Sequence, residues 1–231
     1  MADIFHTTQS FDMLGSQKVA CLVAGYGGTI AGYQEPIKAL NDAGYSVVAY
    51  DHSKNVMKNG RSEDLLKLID DIQADFSIKS NGYKEIIFAG ASMGAGIAFS
   101  IQRRTPQAMF GIYATAGVPV ARNVFVSPLF IRIKKTYIKN GYTPESLQRA
   151  WQAVEALPDE PPTFPTPVVM MLGKRDKIVN YTSALKTLHT WQKAGIPIRI
   201  LTRNPGHLST VRWFKKHIPE LLKAAEEVKI I

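Results

Sequence analysis

The chain has 231 residues, 45% hydrophobic and 20% charged, which excludes disorder over most of its length and suits one α/β domain. Its net charge of +9 is lopsided: residues 1–117 hold 10 Lys/Arg and 11 Asp/Glu, and residues 118–231 hold 18 and 8. The basic residues are scattered, without a run of five and without a zinc-finger or RNA-recognition signature, so a solvated basic face and no nucleic-acid partner are expected.

The opening Met1–His6 lacks the basic and apolar regions of a secretory signal, and no run of eighteen apolar residues follows to cross a membrane. A single cysteine, Cys21, excludes an internal disulfide, and a reducing, cytoplasmic compartment is expected. Lys18–Ala24 reads as the first strand. A helix over Gln34–Ala43 stops at Gly44, and Tyr45–Tyr50 is the second strand. Ser62 is placed to cap a helix whose buried face is Leu65, Leu66, Ile69 and Ile72. Glu85–Ala89 is a strand, Met93–Arg104 a helix and Ala108–Ala114 a strand. Pro167–Leu172, helix Ser183–Ala194 ending at Gly195, strand Ile196–Leu201 and helical Thr210–Val228, broken or kinked at Pro219, complete the chain. Several strands are apolar throughout rather than alternating, as in a parallel sheet buried on both faces.

The expected fold is therefore a doubly wound, mostly parallel α/β sheet in a single domain, 1–231. One interval, about 118–166, holds no strand. It carries a helix near Pro128–Lys139 and another with Thr143 as N-cap, Pro144 at its first position, and Leu147, Ala150, Trp151 and Val154 on one face. A proline-rich stretch, Leu157–Pro167, follows. This interval is expected to be a small helical cap over the carboxyl edge of the sheet, where open α/β sheets bind ligands.

The sharpest motif is Gly90-Ala91-Ser92-Met93-Gly94, between an apolar strand and a helix. That is the setting of a nucleophile elbow: a tight turn presents the serine, and side chains at the flanking positions would collide with backbone. A helix N-cap serine between two packing glycines is the plainer reading of the same residues. A serine nucleophile needs a base, and the base needs an orienting carboxylate. Of the five histidines, His207 in Asn204-Pro205-Gly206-His207 is expected on a loop beyond the last strand. His52, at the end of the second strand, is the second choice. Asp176 in Gly173-Lys174-Arg175-Asp176 stands alone between Glu160 and Glu220, so an acid at the mouth of the late strands is Asp176 unless Asp51 supplies it.

The order Ser92…Asp176…His207 on parallel strands is that of the α/β-hydrolases. Over nearly its whole length the sequence resembles that superfamily, most of all its small capped serine esterases and monoacylglycerol-lipase-like members. The resemblance rests on Leu22-Val23-Ala24-Gly25-Tyr26-Gly27-Gly28, Gly90–Gly94, Gly173–Asp176 with Val179 beyond, and Pro205–His207. It implies a catalytic triad of Ser92, His207 and Asp176. It also implies an oxyanion hole from the backbone N–H groups of Tyr26 and Met93, although Ala24-Gly25 stands where the family often has His-Gly. The expected activity is cleavage of a carboxylic ester through an acyl-enzyme, with no metal or organic cofactor. The expected partner is a small-molecule ester with an apolar acyl or aryl group, to which Phe125, Leu129, Phe130 and Ile131 of the cap are suited.

Acyltransferase, thioesterase or amidase chemistry fits the same triad. Two further readings are weaker. Gly25-Tyr26-Gly27-Gly28 followed by Asp51 resembles half a dinucleotide-binding unit, but Ile30 occupies the sixth position of Gly-x-Gly-x-x-Gly and the next helix begins late. A catalytically dead binding module is opposed by the presence of all three triad residue types.

Overall fold

The computed structural model describes residues 6–115, 120–126, 130–151 and 166–229. Seven strands, β1 (His6–Phe11), β2 (Lys18–Val23), β3 (Tyr45–His52), β4 (Glu85–Ala91), β5 (Ala108–Ala114), β6 (Val168–Gly173) and β7 (Ile198–Arg203), form one sheet ordered β1-β3-β2-β4-β5-β6-β7. Every neighbouring pair is parallel except β1 with β3, which runs antiparallel from His6 opposite His52 to Phe11 opposite Val47. Successive strands move outward in opposite directions from the β2–β4 boundary, a topological switch point of the kind at which open α/β sheets place their sites.

The long apolar strands have a direct cause. In β2, Val19, Cys21 and Val23 face one buried layer while Ala20 and Leu22 face the other. On the first side the layer is completed by α3 (Ser62–Lys79), α4 (Met93–Gln102) and α8 (Tyr181–Lys193), with Leu68, Ile72, Ile101, Leu188 and Trp191 buried. On the second, α1 (Gln34–Asp42), α9 (His207–Lys216) and α10 (Ile218–Lys229) contribute Ile37, Leu40, Phe214, Leu221 and Ala225. Burial on both faces removes the period-2 alternation of a half-exposed strand.

Three more helices belong to loops above the carboxyl edge: α2 (Asn55–Lys58), α5 (Val120–Val126) and α6 (Ile131–Lys139). A fourth, α7 (Pro144–Trp151), packs with them. Thr143 caps α7, its Oγ1 accepting the Ser146 N–H at 3.1 Å. Ile133, Tyr137, Leu147 and Trp151 are buried, Tyr137 lying edge-on to Trp151 at 5.6 Å between ring centroids. Leu129, Val154 and residues 152–165 lie outside the described residues. Among the described residues no helix is long and apolar enough to cross a membrane.

Several expectations differ from the fold. Strand β1, His-Thr-Thr-Gln-Ser-Phe, was not foreseen. It is an edge strand with exposed side chains, and its pairing to β3 uses backbone groups that carry no hydrophobic signal. Ser62 does not cap α3. Arg61 occupies the cap position in extended conformation, and the Ser62 hydroxyl instead meets the Tyr142 hydroxyl at 2.9 Å, tying α3 to the turn between α6 and α7. The C-terminal stretch is two helices parted at His217, the second beginning beside Pro219 as the break there indicates. The first starts at His207, three residues earlier than the pattern indicated, so His207 opens a helix rather than lying on a loop.

Candidate active site

Ser92 sits between β4 and α4 with φ +57° and ψ −128°. A side chain in this region is strained, typically by 1–3 kcal/mol, and such residues concentrate at functional sites. The turn closes so tightly that a Cβ on Gly94 would lie 2.3 Å from the Val23 carbonyl oxygen, and one on Gly90 2.6 Å from the Gly94 oxygen. Both obstacles are backbone, so neither can move aside cheaply. Gly94→Ala is accordingly expected to lower stability by about 3 kcal/mol, read as a fall in the urea midpoint at unchanged slope. The Ser92 N–H donates to the Ala114 oxygen at 2.8 Å, which fixes the elbow to the end of β5.

His207 is carried to Ser92 by the packing of β6 against the start of α9. Gly173, the last residue of β6, leaves space for Thr210 Oγ1 and the Pro205 carbonyl; a Cβ there would lie 2.4 Å and 2.6 Å from them. Thr210 closes the first turn of α9, both its N–H and its hydroxyl donating to the Gly206 oxygen at 3.0 Å. The imidazole then bridges the two partners: Nε2 lies 2.8 Å from Ser92 Oγ, and Nδ1 lies 2.8 Å from Asp176 Oδ2. The Asp176 side chain is 1% exposed and that of His207 9%. Asp176 Oδ1 accepts two backbone N–H groups, from Ile178 at 2.8 Å and Val179 at 2.9 Å. These bonds compensate its burial and aim Oδ2 at the ring. An ionised carboxylate only accepts, so Nδ1 carries the proton and Nε2 is left to accept from the serine hydroxyl.

The segment after β2 lies directly beside the elbow. A Cβ on Gly25 would sit 2.9 Å from the Ala91 oxygen and 3.5 Å from Ser92 Cβ. Tyr26 follows, half-buried, its ring 6.3 Å from that of Phe130 and 6.4 Å from that of His52. Met93 opens α4, where a backbone N–H has no intrahelical acceptor.

The alternative residues lie elsewhere. His52 is 5% exposed at the end of β3, two strands from Ser92's β4. Asp51 is engaged, accepting from the Thr7 hydroxyl and from the Ile30 N–H at 2.9 Å, and so holds the loop entering α1 rather than a ribose. His6 abuts Tyr50, His189 is exposed on α8, and His217 is stacked on Trp213 at 3.8 Å.

Two residues at this edge carry no sequence signal. Tyr33, 2% exposed, accepts the Gly25 N–H at 3.0 Å through its hydroxyl, and Lys215 of α9 lies 4.0 Å over its ring. Thr115, just past β5, is buried with φ +49° and a hydroxyl that has no hydrogen-bond partner among the described residues. Nothing local marks a β-branched residue for the left-handed region, which opposes it.

The family model for serine aminopeptidase, S33, matches residues 15–136, a span that includes the glycine loop and Ser92 but ends before Asp176 and His207. No curated protein matches the sequence. Among solved structures, an esterase of Pyrococcus furiosus aligns at TM-score 0.62 and 18% identity, covering 91% of this chain and 83% of its own. An esterase of Pyrobaculum calidifontis aligns at 0.62 and 14%, covering 97% and 80%. A carboxylesterase of the thaumarchaeon Nitrososphaera gargenis aligns at 0.61 and 14%, covering 96% and 94%. At these identities the likeness is one of fold, and it agrees with the sheet order and flanking helices described above. With a family model spanning more than half of its length, the chain belongs to the serine aminopeptidase S33 family and is an enzyme of the α/β-hydrolase fold.

Proposed function

We propose that the enzyme hydrolyses carboxylic esters with Ser92 as nucleophile. The observation that carries this reading is the continuous chain from Ser92 Oγ to His207 Nε2 and from His207 Nδ1 to Asp176 Oδ2, each contact 2.8 Å. Ser92 Oγ attacks the ester carbonyl carbon while His207 Nε2 takes its proton, and Asp176 stabilises the resulting imidazolium. The negative charge that develops on the carbonyl oxygen is met by the N–H groups of Tyr26 and Met93. As the tetrahedral intermediate collapses, His207 returns the proton to the leaving alcohol. Water, activated by the same imidazole, then releases the acid from the acyl-enzyme.

Ester substrates are favoured over peptides by the charge of residues 118–150, the helical part of our proposed cap over 118–166. In sequence they hold Arg122, Arg132, Lys134, Lys135, Lys139 and Arg149 against Glu145, a net positive charge unfavourable to the ammonium group an aminopeptidase must receive. The solved relatives that share the fold include esterases. Phe130 beside Tyr26 supplies an apolar wall suited to an acyl or aryl group. The test is labelling by a fluorophosphonate, followed by rates on p-nitrophenyl esters of increasing acyl length and on the matching p-nitroanilides. Ester turnover with slow anilide turnover is expected, and the reverse ranking would replace this reading with an amidase.

In this mechanism Tyr33 is a positioning residue. It touches no substrate and holds the loop that presents the Tyr26 N–H. Tyr33→Phe removes the acceptor of the Gly25 N–H and is expected to lower kcat on the order of tenfold, with KM little changed. A purely structural role for the hydroxyl would lower the melting temperature without that split.

A further inference from the structure

Beyond the glycine loop, on the β1–β3 side of Ser92, the carboxyl edge of the sheet holds a second cleft of about 340 Å³. The start of β1, the Gly27–Thr29 turn and the Asp51–Lys54 segment wall it. Two histidines and a lysine line it. His52 is 5% exposed; the backbone of Ser53 and Ala24 lies against its ring, and among the described residues neither ring nitrogen has a well-formed hydrogen bond. His6 Nδ1 is buried and, among the described residues, without a partner as well. Lys54 reaches across Gly27, where a Cβ would lie 2.6 Å from its Cε and 3.4 Å from its Nζ. Among the described residues no carboxylate pairs with that ammonium. The one acid in the wall, Asp51, already has both oxygens engaged, by the Thr7 hydroxyl and the Ile30 N–H.

Buried polar nitrogens are rarely left without partners, and here two imidazoles carry such nitrogens beside an exposed lysine around one opening. We propose that this cleft binds an oxyanion, a carboxylate or phosphate group, with Lys54 supplying the charge and the His52 and His6 rings supplying N–H donors. Burial holds both imidazoles below their ordinary pKa; Asp51 opposes this at His52, and Asp71 and Asp75 oppose it at His6, where Lys67 and Lys79 act with burial. Each ring is therefore neutral near pH 7, with one N–H to donate. The site goes beyond the hydrolytic reading and does not depend on Ser92. Because it adjoins Tyr26, whose ring is 6.4 Å from that of His52, the anion has two sources: a charged substituent of the substrate, or a free anion bearing on the oxyanion loop.

The test is a titration of the full chain with inorganic phosphate, followed by NMR of the histidine rings, with His52 assigned through His52→Gln. Saturable shifts at His52 and His6 are expected, with His189 and His217 unmoved. Lys54→Gln should raise the apparent Kd by about tenfold, as expected for loss of the only cation. Absence of a saturable shift at His52, or an equal Kd in Lys54→Gln, overturns the proposal. This readout needs no catalysis, so an inactive Ser92 would sink the esterase reading and leave the anion site untouched. Two kinetic arms then separate the sources. If the anion belongs to the substrate, Lys54→Gln lowers the ratio of kcat/KM for an ω-carboxylate p-nitrophenyl ester over its neutral isostere. If it is a free anion, phosphate alters kcat/KM for the neutral ester in the parent, and the response is lost in Lys54→Gln.

Discussion

Ser92→Ala is expected to reduce ester turnover on the order of 10⁶-fold, the loss that follows when a triad nucleophile is removed and the remaining groups act alone. The substitution deletes one oxygen from a half-buried side chain and leaves the elbow's backbone bonds in place, including Ser92 N–H to Ala114 and Ala95 N–H to the Ser92 oxygen. Alanine carries the same backbone restriction at φ +57°, so stability should change little. Intact mass after fluorophosphonate treatment should show one adduct on the parent and none on the variant, with peptide mapping to Ser92. An adduct on another serine, or turnover by Ser92→Ala near that of the parent, would refute the assignment of the nucleophile.

Asp176→Asn should be the next most damaging change. The amide oxygen can still accept from Ile178 and Val179, so the local turn is retained. The NH₂ group then occupies the place of Oδ2 and presents a donor to His207 Nδ1. The imidazole responds by accepting at Nδ1 and carrying its proton on Nε2, the tautomer that cannot accept from Ser92 Oγ. Turnover should fall by up to about 10⁴-fold while substrate binding is largely kept. Combining Asp176→Asn with His207→Ala should cost little more than His207→Ala alone, because the three groups act as a unit. Additive losses in the double variant would show that Asp176 serves the enzyme in some other way.

What the sequence by itself determined is local in origin. Doubly buried strands appear as apolar runs, and these marked β2, β3, β4, β5 and β6 to within a few residues at each end, while β7, a half-exposed edge strand, was marked by alternating isoleucines. The Gly-x-Ser-x-Gly motif was legible because a sharp turn with backbone 2.3 Å from a missing Cβ leaves no residue but glycine at Gly94. The alternation of strands and helices and the order of candidate residues then indicated a doubly wound sheet with a serine in a strand–turn–helix elbow. Only the tertiary structure decided which groups meet. His207 reaches Ser92 across 115 positions and Asp176 across 31, and both contacts depend on how β6 and α9 pack, which no periodicity encodes. Edge strand β1 escaped notice because its pairing is made by backbone atoms under polar side chains. Tyr33 and Thr115 escaped for a related reason: a tyrosine that holds Gly25 and a threonine forced to positive φ are set by distant neighbours, against or without any local preference. The same holds for the buried imidazoles of His6 and His52, which come together only because β1 folds back alongside β3.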